Sequence, residues 1–221
     1  MKVADAKEVA FMGRITASFT HEMKNVLAIV KESTGLMEDL LSLTPEASFP
    51  QRERLFRVAA KILEQVQRGV ELCTRLNKFA HSPDEPVANI DLNETAVQVA
   101  VLGERFARLK GVTLKAEPAA DKLLVRTSPV GALMAVFSGM ESCWDRMKSG
   151  SELKVAGARI GDEMALRMEP LGDFGDAAEF ASAVTGSGKW DGFQEMVAAL
   201  GGRVEWLVDR PGFTVVFAKG D

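Results

Sequence analysis

The sequence predicts an α+β protein: a long antiparallel helical hairpin followed by an α/β sandwich. Three observations predict it. Residues 4–43 contain no proline and only two glycines, Gly13 and Gly35, and their apolar residues recur at steps of three and four, as on one face of a helix. The stretch Thr44-Pro45-Glu46-Ala47-Ser48-Phe49-Pro50 breaks that pattern as a turn, and a second helical run follows it. Beyond Ser82-Pro83-Asp84-Glu85-Pro86, which reads as a linker, short apolar runs alternate with helical ones. The expected domains are therefore 1–82 and 87–221.

The first helix is expected from about Ala4 to Leu43, roughly 60 Å long, with Met12, Ile15, Phe19, Met23, Val26 and Val30 as its buried stripe. The second is expected from about Gln51 to His81. Its stripe is Leu55, Val58 or Ala59, Ile62, Val66, Val70, Cys73, Leu76 and Phe79 or Ala80, close to a heptad repeat. Two long helices joined by a short turn lie antiparallel. A lone hairpin leaves much of this apolar surface wet, so a second copy is expected to cover it, giving a dimeric four-helix bundle with two-fold symmetry. The alternative is a hairpin that packs only against its own carboxy-terminal domain.

After the linker, Val87 to Leu92 reads as a strand, and Asn93 as the cap of a helix to about Lys110, with Gly111 as its stop. Val112 to Ala116 and Leu123 to Arg126 read as strands. Ser128-Pro129 starts a helix that runs to about Lys148. Glu152 to Ile160 and Glu163 to Glu169 form a hairpin across Gly161-Asp162. One or two short helices fill Ala177 to Leu200. Strands Arg203 to Val208 and Gly212 to Ala218 close the chain around Arg210-Pro211-Gly212. This order implies one sheet covered by helices on one face.

Composition narrows the function. The net charge of −4 over 221 residues gives no basic footprint, so nucleic acid is not an expected partner. No apolar run approaches the roughly 20 residues that span a bilayer, and the acidic, polar start Met1-Lys2-Val3-Ala4-Asp5-Ala6-Lys7-Glu8 is not a signal peptide. No membrane association is expected, and the expected location is the cytoplasm. Cys73 and Cys143 are the only thiols, each within a helical apolar pattern, and read as reduced core residues. No metal-ligand spacing is present, so no metal site is expected.

One of only two histidines, His21, stands out. At about 100° per residue it lies roughly 160° from Phe19 and Met23 and so points outward, with Asn25 one turn on and nearly on the same face. Glu22 follows it directly. An exposed imidazole on a rigid helix can carry a phosphoryl group, because neutral imidazole is nucleophilic near pH 7. The bland reading is a solvated surface histidine. Glu22 orients the ring or takes a proton from it, or is a plain exposed glutamate. Asn25 positions a water or a partner's carboxylate, or does nothing. His81, the other histidine, ends the second helix and is explained by the helix dipole. Trp144, Trp190 and Trp206 follow apolar spacing and read as core or interface.

The run Phe19-Thr20-His21-Glu22-Met23-Lys24-Asn25 resembles the phosphoacceptor box of bacterial sensor histidine kinases. The segment Leu133 to Asp145 resembles the helix that carries their nucleotide-site asparagines, and Gly201-Gly202-Arg203-Val204-Glu205 resembles the turn into their last hairpin. The resemblance implies a dimeric phosphoacceptor hairpin followed by a sandwich of the histidine-kinase ATPase type. It also marks departures. Ser138 and Ser142 stand where those kinases carry asparagines that hold Mg²⁺. Of their Asp-x-Gly-x-Gly element only Asp173-Phe174-Gly175-Asp176-Ala177 comes near. Gly186-Ser187-Gly188 begins like a phosphate loop but continues Lys189-Trp190-Asp191-Gly192, where Trp190 fits a backbone cradle poorly. Ser142, Asp173 and Gly175 are thus weak remnants of a cofactor site, and a capping role explains Asp173 equally well.

In plan the chain is similar to the ChpT-type histidine phosphotransferases. That similarity implies a phosphorelay protein without ATP-dependent kinase activity. His21 would take a phosphoryl group from a receiver-domain aspartate and pass it to another receiver. No cofactor is bound tightly, ATP is not used, and Mg²⁺ comes with the partner receiver. Arg14, Thr16, Ser18 and Lys24 would face that receiver. The alternatives are a divergent active kinase using ATP, and a catalytically silent dimeric adaptor that binds a kinase or receiver.

Overall fold

The computed structural model describes residues 3–42, 52–172 and 177–217, and it divides into two compact units. One comprises Val9–Ala80, the other Met1–Glu8 with His81–Asp221. The expected turn at Thr44–Pro50 lies outside the described residues.

The first unit is built from residues 9–42 of α1 (Val3–Ser42) and from α2 (Arg52–Ala80). Their pairing is antiparallel: Phe11 meets Phe79 edge to face at 5.6 Å, and Glu22 meets Arg68 at 3.4 Å. Between the helices lie Ile15, Phe19 and Val26 from α1 and Leu55, Val58, Leu72 and Phe79 from α2, all buried. Met12, Met23 and Val30, expected in the same stripe, are half-buried.

The expected stripe of α2 resolves into two seams one residue apart. The inner seam is Leu55, Val58, Ile62, Gln65, Gly69, Leu72, Leu76 and Phe79, and the outer seam is Phe56, Ala59, Leu63, Val66, Val70 and Cys73. Each steps by alternating three and four residues, the spacing that keeps a seam aligned along a coiled-coil partner. The inner seam packs on α1. The outer seam is open, with Phe56 63%, Leu63 59% and Val70 61% exposed. Cys73, expected in the core, is therefore exposed, whereas Cys143 is buried as expected. Gln65 puts an amide into the inner seam, and its Oε1 has no hydrogen-bond partner among the described residues.

The second unit runs β1 (Ala88–Asp91), α3 (Leu92–Leu109), β2 (Thr113–Glu117), β3 (Leu124–Thr127), α4 (Pro129–Trp144), β4 (Glu152–Ile160) and β5 (Glu163–Leu171). It continues with α5 (Ala177–Thr185), α6 (Trp190–Ala199), β6 (Arg203–Trp206) and β7 (Phe213–Phe217). Two sheets form where one was expected. Strands β2-β4-β5-β7-β6 make a mixed five-stranded sheet, parallel only at β2–β4, and β1 pairs with β3 as a separate antiparallel ribbon. Glycine at position 161, with φ of 59°, makes the tight β4–β5 turn that the sequence predicts.

Helix starts follow capping chemistry. Ser128 Oγ accepts from the Gly131 amide at 3.2 Å, with Pro129 in the first turn. The cap of α3 is Asp91 rather than Asn93. The Asp91 carboxylate accepts from the amides of Asn93 and Leu123 at 3.0 and 3.1 Å, while Asn93 is buried and bonds the 119–121 loop, accepting from Ala119 N and donating to the Asp121 carbonyl, each at 2.8 Å. Helices α3, α4 and α6 pack on the sheet through Phe137, which meets both Phe106 and Trp144 edge to face, and through Met140, Leu153, Leu166, Phe193 and Phe213. Trp190 stacks on Trp206 at 4.8 Å, so Trp144 and Trp190 are core residues and Trp206 is half-buried.

Candidate phosphoryl-transfer site

His21 lies mid-way along α1 with its side chain 54% exposed, on the face away from Ile15, Phe19 and Val26. Asn25 is exposed one turn on, and its Nδ2 lies 3.3 Å from His21 Nδ1. Glu22 is not an exposed glutamate. It is buried in the seam, with Oε1 4.0 Å from His21 Nδ1 and Oε2 3.4 Å from Arg68 Nη2. A buried carboxylate needs a partner of opposite charge, and α2 supplies one 46 residues away in the chain.

One residue on, Gly69 faces α1: a β-carbon there would lie 3.3 Å from Val26 Cγ1 and 3.7 Å from Met23 Cε, so an alanine would ask the Val26 side chain to give by a few tenths of an ångström. Sequence reading singled out neither Arg68 nor Gly69. Near His21, Arg14, Thr16 and Lys24 are exposed, whereas Ser18, expected on the docking surface, is buried at 4%. A small hydroxyl-bearing residue on the packed face accounts for that.

Both neighbours of the imidazole address Nδ1. Nε2 has no hydrogen-bond or ion-pair partner among the described residues. A ring held at one nitrogen and open at the other presents a directed lone pair, which is what a nucleophile needs. His81 is instead a local structural contact: Nδ1 lies 2.7 Å from Asp84 Oδ2, just past the end of α2.

In the other unit, Ser142 is the one expected nucleotide-site remnant among the described residues. Ser142 is fully buried and its hydroxyl donates to the Ser138 carbonyl at 3.0 Å. Asp173 and Gly175 lie outside the described residues. The turn at Gly186–Gly188 leads directly into Lys189, whose ammonium bonds Asp145 Oδ2 at 2.7 Å and approaches Glu141 at 3.4 Å, while Lys110 reaches Asp145 at 3.1 Å. Burial raises the Asp145 pKa, but the hydrogen bonds from Lys189 and Lys110 outweigh it and leave the carboxyl below its usual range. Lys189 is thus already paired with two carboxylates at the end of α4. Among the described residues no group of three or more His, Cys, Asp or Glu side chains could hold a metal ion, and no helix is long and apolar enough to cross a membrane.

No protein-family profile matches the chain, and no curated protein matches it. Solved structures do. The histidine kinase AdeS of Acinetobacter baumannii aligns over 91% of this chain and 98% of its own, with 12% identity and a TM-score of 0.45. The cytoplasmic segment of histidine kinase QseC covers 72% of this chain and 94% of its own, with 15% identity and a TM-score of 0.44. Histidine kinase ThkA, solved in complex with the response regulator protein TrrA, covers 96% of this chain, which spans 62% of it, with 14% identity and a TM-score of 0.43. At these scores the likeness carries no functional weight, and the reading that follows rests on this chain's own residues.

Proposed function

We propose that this chain is a histidine phosphotransferase of a two-component phosphorelay, similar in plan to the ChpT type and working in the cytoplasm as a homodimer. The observation that carries the reading is the open Nε2 of His21, beside an imidazole whose Nδ1 faces both Glu22 and Asn25. The Nε2 lone pair attacks the phosphorus of an aspartyl phosphate on a receiver domain. The P–O bond to the aspartate breaks, and the aspartate leaves as a carboxylate with the electron pair. Reversal of the same step on a second receiver passes the group on. Mg²⁺ sits in the receiver's own acidic site, so this chain needs no metal ligands. Arg14, Thr16 and Lys24, exposed beside His21, would meet the receiver.

Support for the homodimer comes from the outer seam of α2, together with Leu27 and Leu41 of α1, exposed at 61% and 49%. A second hairpin laid on these residues completes a four-helix bundle with heptad packing. Support for transfer without ATP comes from the Lys189–Asp145 contact and the buried Ser142. The test is to offer a receiver phosphorylated on aspartate to wild type and to His21→Ala. The expected result is label on wild type only. Equal loss of receiver phosphate with both proteins, and no label on either, would leave a silent adaptor as the better reading.

A further inference from the structure

We propose that the last turn of α3 and the α4–β4 connection together form a docking surface for an acidic segment of a partner protein, with Leu109 as its apolar anchor. The inference goes beyond the phosphotransfer reading and does not rest on it.

It begins with charge. The chain carries a net −4, but the charges are unevenly spread. Residues 104–111 and 145–151 hold five cations, Arg105, Arg108, Lys110, Arg146 and Lys148, against two acids, Glu104 and Asp145, which makes a local +3. The fold joins these two segments. Gly150 N donates to the Gly111 carbonyl at 2.8 Å, and Thr113 N donates to the Ser151 carbonyl at 2.9 Å. Arg108, Lys110, Arg146 and Lys148 are exposed. Asp145 is largely covered and is shared by Lys110 and Lys189 at 3.1 and 2.7 Å, so solvent meets mainly the cations.

Helices α3 and α4 both end here, and their dipoles favour positive charge at this end. The dipoles do not account for the apolar group among the cations. Leu109 lies on the same side of α3 as Leu102 and Phe106, at steps of four and three. Exposure rises along that row, from 1% at Leu102 through half-buried Phe106 to 69% at Leu109. A lone exposed leucine is ordinary on a protein surface. One set among exposed charges of a single sign has the anatomy of a binding patch, an apolar centre with a polar rim.

The pattern selects its partner. Charges of one sign steer in and retain a surface of the opposite sign, and Leu109 asks for an apolar side chain within it. An acidic protein segment with an apolar residue supplies both. A nucleic-acid backbone would meet the cations and leave Leu109 in water. A membrane surface takes up a larger apolar group than one leucine.

The test uses the full chain and a short fluorescein-labelled peptide of glutamates around a central pair of phenylalanines. Fluorescence anisotropy should show binding that weakens as salt is raised. Arg146→Glu combined with Lys148→Glu should weaken it roughly tenfold or more. Leu109→Ser, at an exposed position, should weaken it by roughly fivefold. Exchange of the two cations, Arg146→Lys with Lys148→Arg, keeps the charge and should bind as wild type does. No binding by wild type at low salt, or equal binding by wild type and the charge-reversed form, would overturn the proposal. So would an unchanged affinity in Leu109→Ser, or a preference for duplex DNA or phosphatidylglycerol vesicles over the peptide.

Discussion

The helical hairpin and the α/β unit treat their polar and apolar groups in opposite ways. The hairpin leaves its chemistry open: an imidazole with a free Nε2, and a whole heptad seam, Phe56 to Cys73, facing outward. The α/β unit closes its chemistry in, with Ser142 bonded to its own helix and Lys189 tied to Asp145. The contrast teaches that a site is judged by what its groups are already bonded to as much as by which groups are present. A serine or a lysine in the right segment offers little to a ligand once another part of the chain has satisfied it.

The largest expected effect breaks the open side. Replacing Leu63 and Val70 with glutamate puts charge on the outer seam while leaving the inner seam untouched. Burying two such side chains is worth about 3 kcal/mol or more, so the dimer dissociation constant should rise by at least roughly a hundredfold. Sedimentation equilibrium measures this, and an unchanged oligomer would show that the outer seam is not the dimer interface.

A smaller effect tests the closed side. Ser142→Asn restores the residue type that the nucleotide-site resemblance calls for, but the position is fully buried in α4. Overpacking should cost about 1–3 kcal/mol, seen as a lower Tm, and titration with an ATP analogue and Mg²⁺ should show no binding. Micromolar binding by the variant would show that the closed arrangement does not exclude a nucleotide.

Gln65→Leu should act within the hairpin. The change removes an acceptor that has no partner among the described residues and fills the inner seam with an apolar side chain, so urea denaturation should show a gain of about 1 kcal/mol. A loss of that size would mean the amide is satisfied in solution and helps to specify the seam.

The smallest effect concerns Lys189. The Asp145 carboxyl is held below its ordinary pKa of 3.8, so its pairing stabilises the fold above that value and is lost as pH falls through the lower folded value. Lys189 is half exposed, which screens the pair, and Lys189→Met should cost no more than about 1 kcal/mol at pH 7. That difference should fade below about pH 4, as followed by denaturation across pH. A difference that persists unchanged at pH 3 would assign the effect to packing.

Much of this organisation was legible from local pattern. Helix periodicity and the two proline-rich breaks gave the hairpin and the start of the α/β unit, and the outward position of His21 followed from helix geometry alone. What stayed hidden depends on contacts between distant residues. The outer seam merged with the inner one because Gln65 and Gly69, which lie inside, carry no apolar side chain, whereas Val66, Val70 and Cys73, which lie outside, do. A plain exposed glutamate stayed open as a reading of Glu22 because its partner is 46 residues away. Asp91 and Asn93 are both good capping residues, and only the 119–121 loop decides between them. Ribbon β1–β3 read as part of one sheet because short strands do not reveal which neighbours they pair with.

The measurement that bears most directly on the contrast offers the same protein two phosphoryl donors side by side, γ-labelled ATP with Mg²⁺ and a receiver domain labelled on its aspartate. The account predicts that His21 acquires label from the receiver and none from ATP. Label arriving from ATP, and lost in His21→Ala, would contradict it and make the α/β unit an active kinase domain.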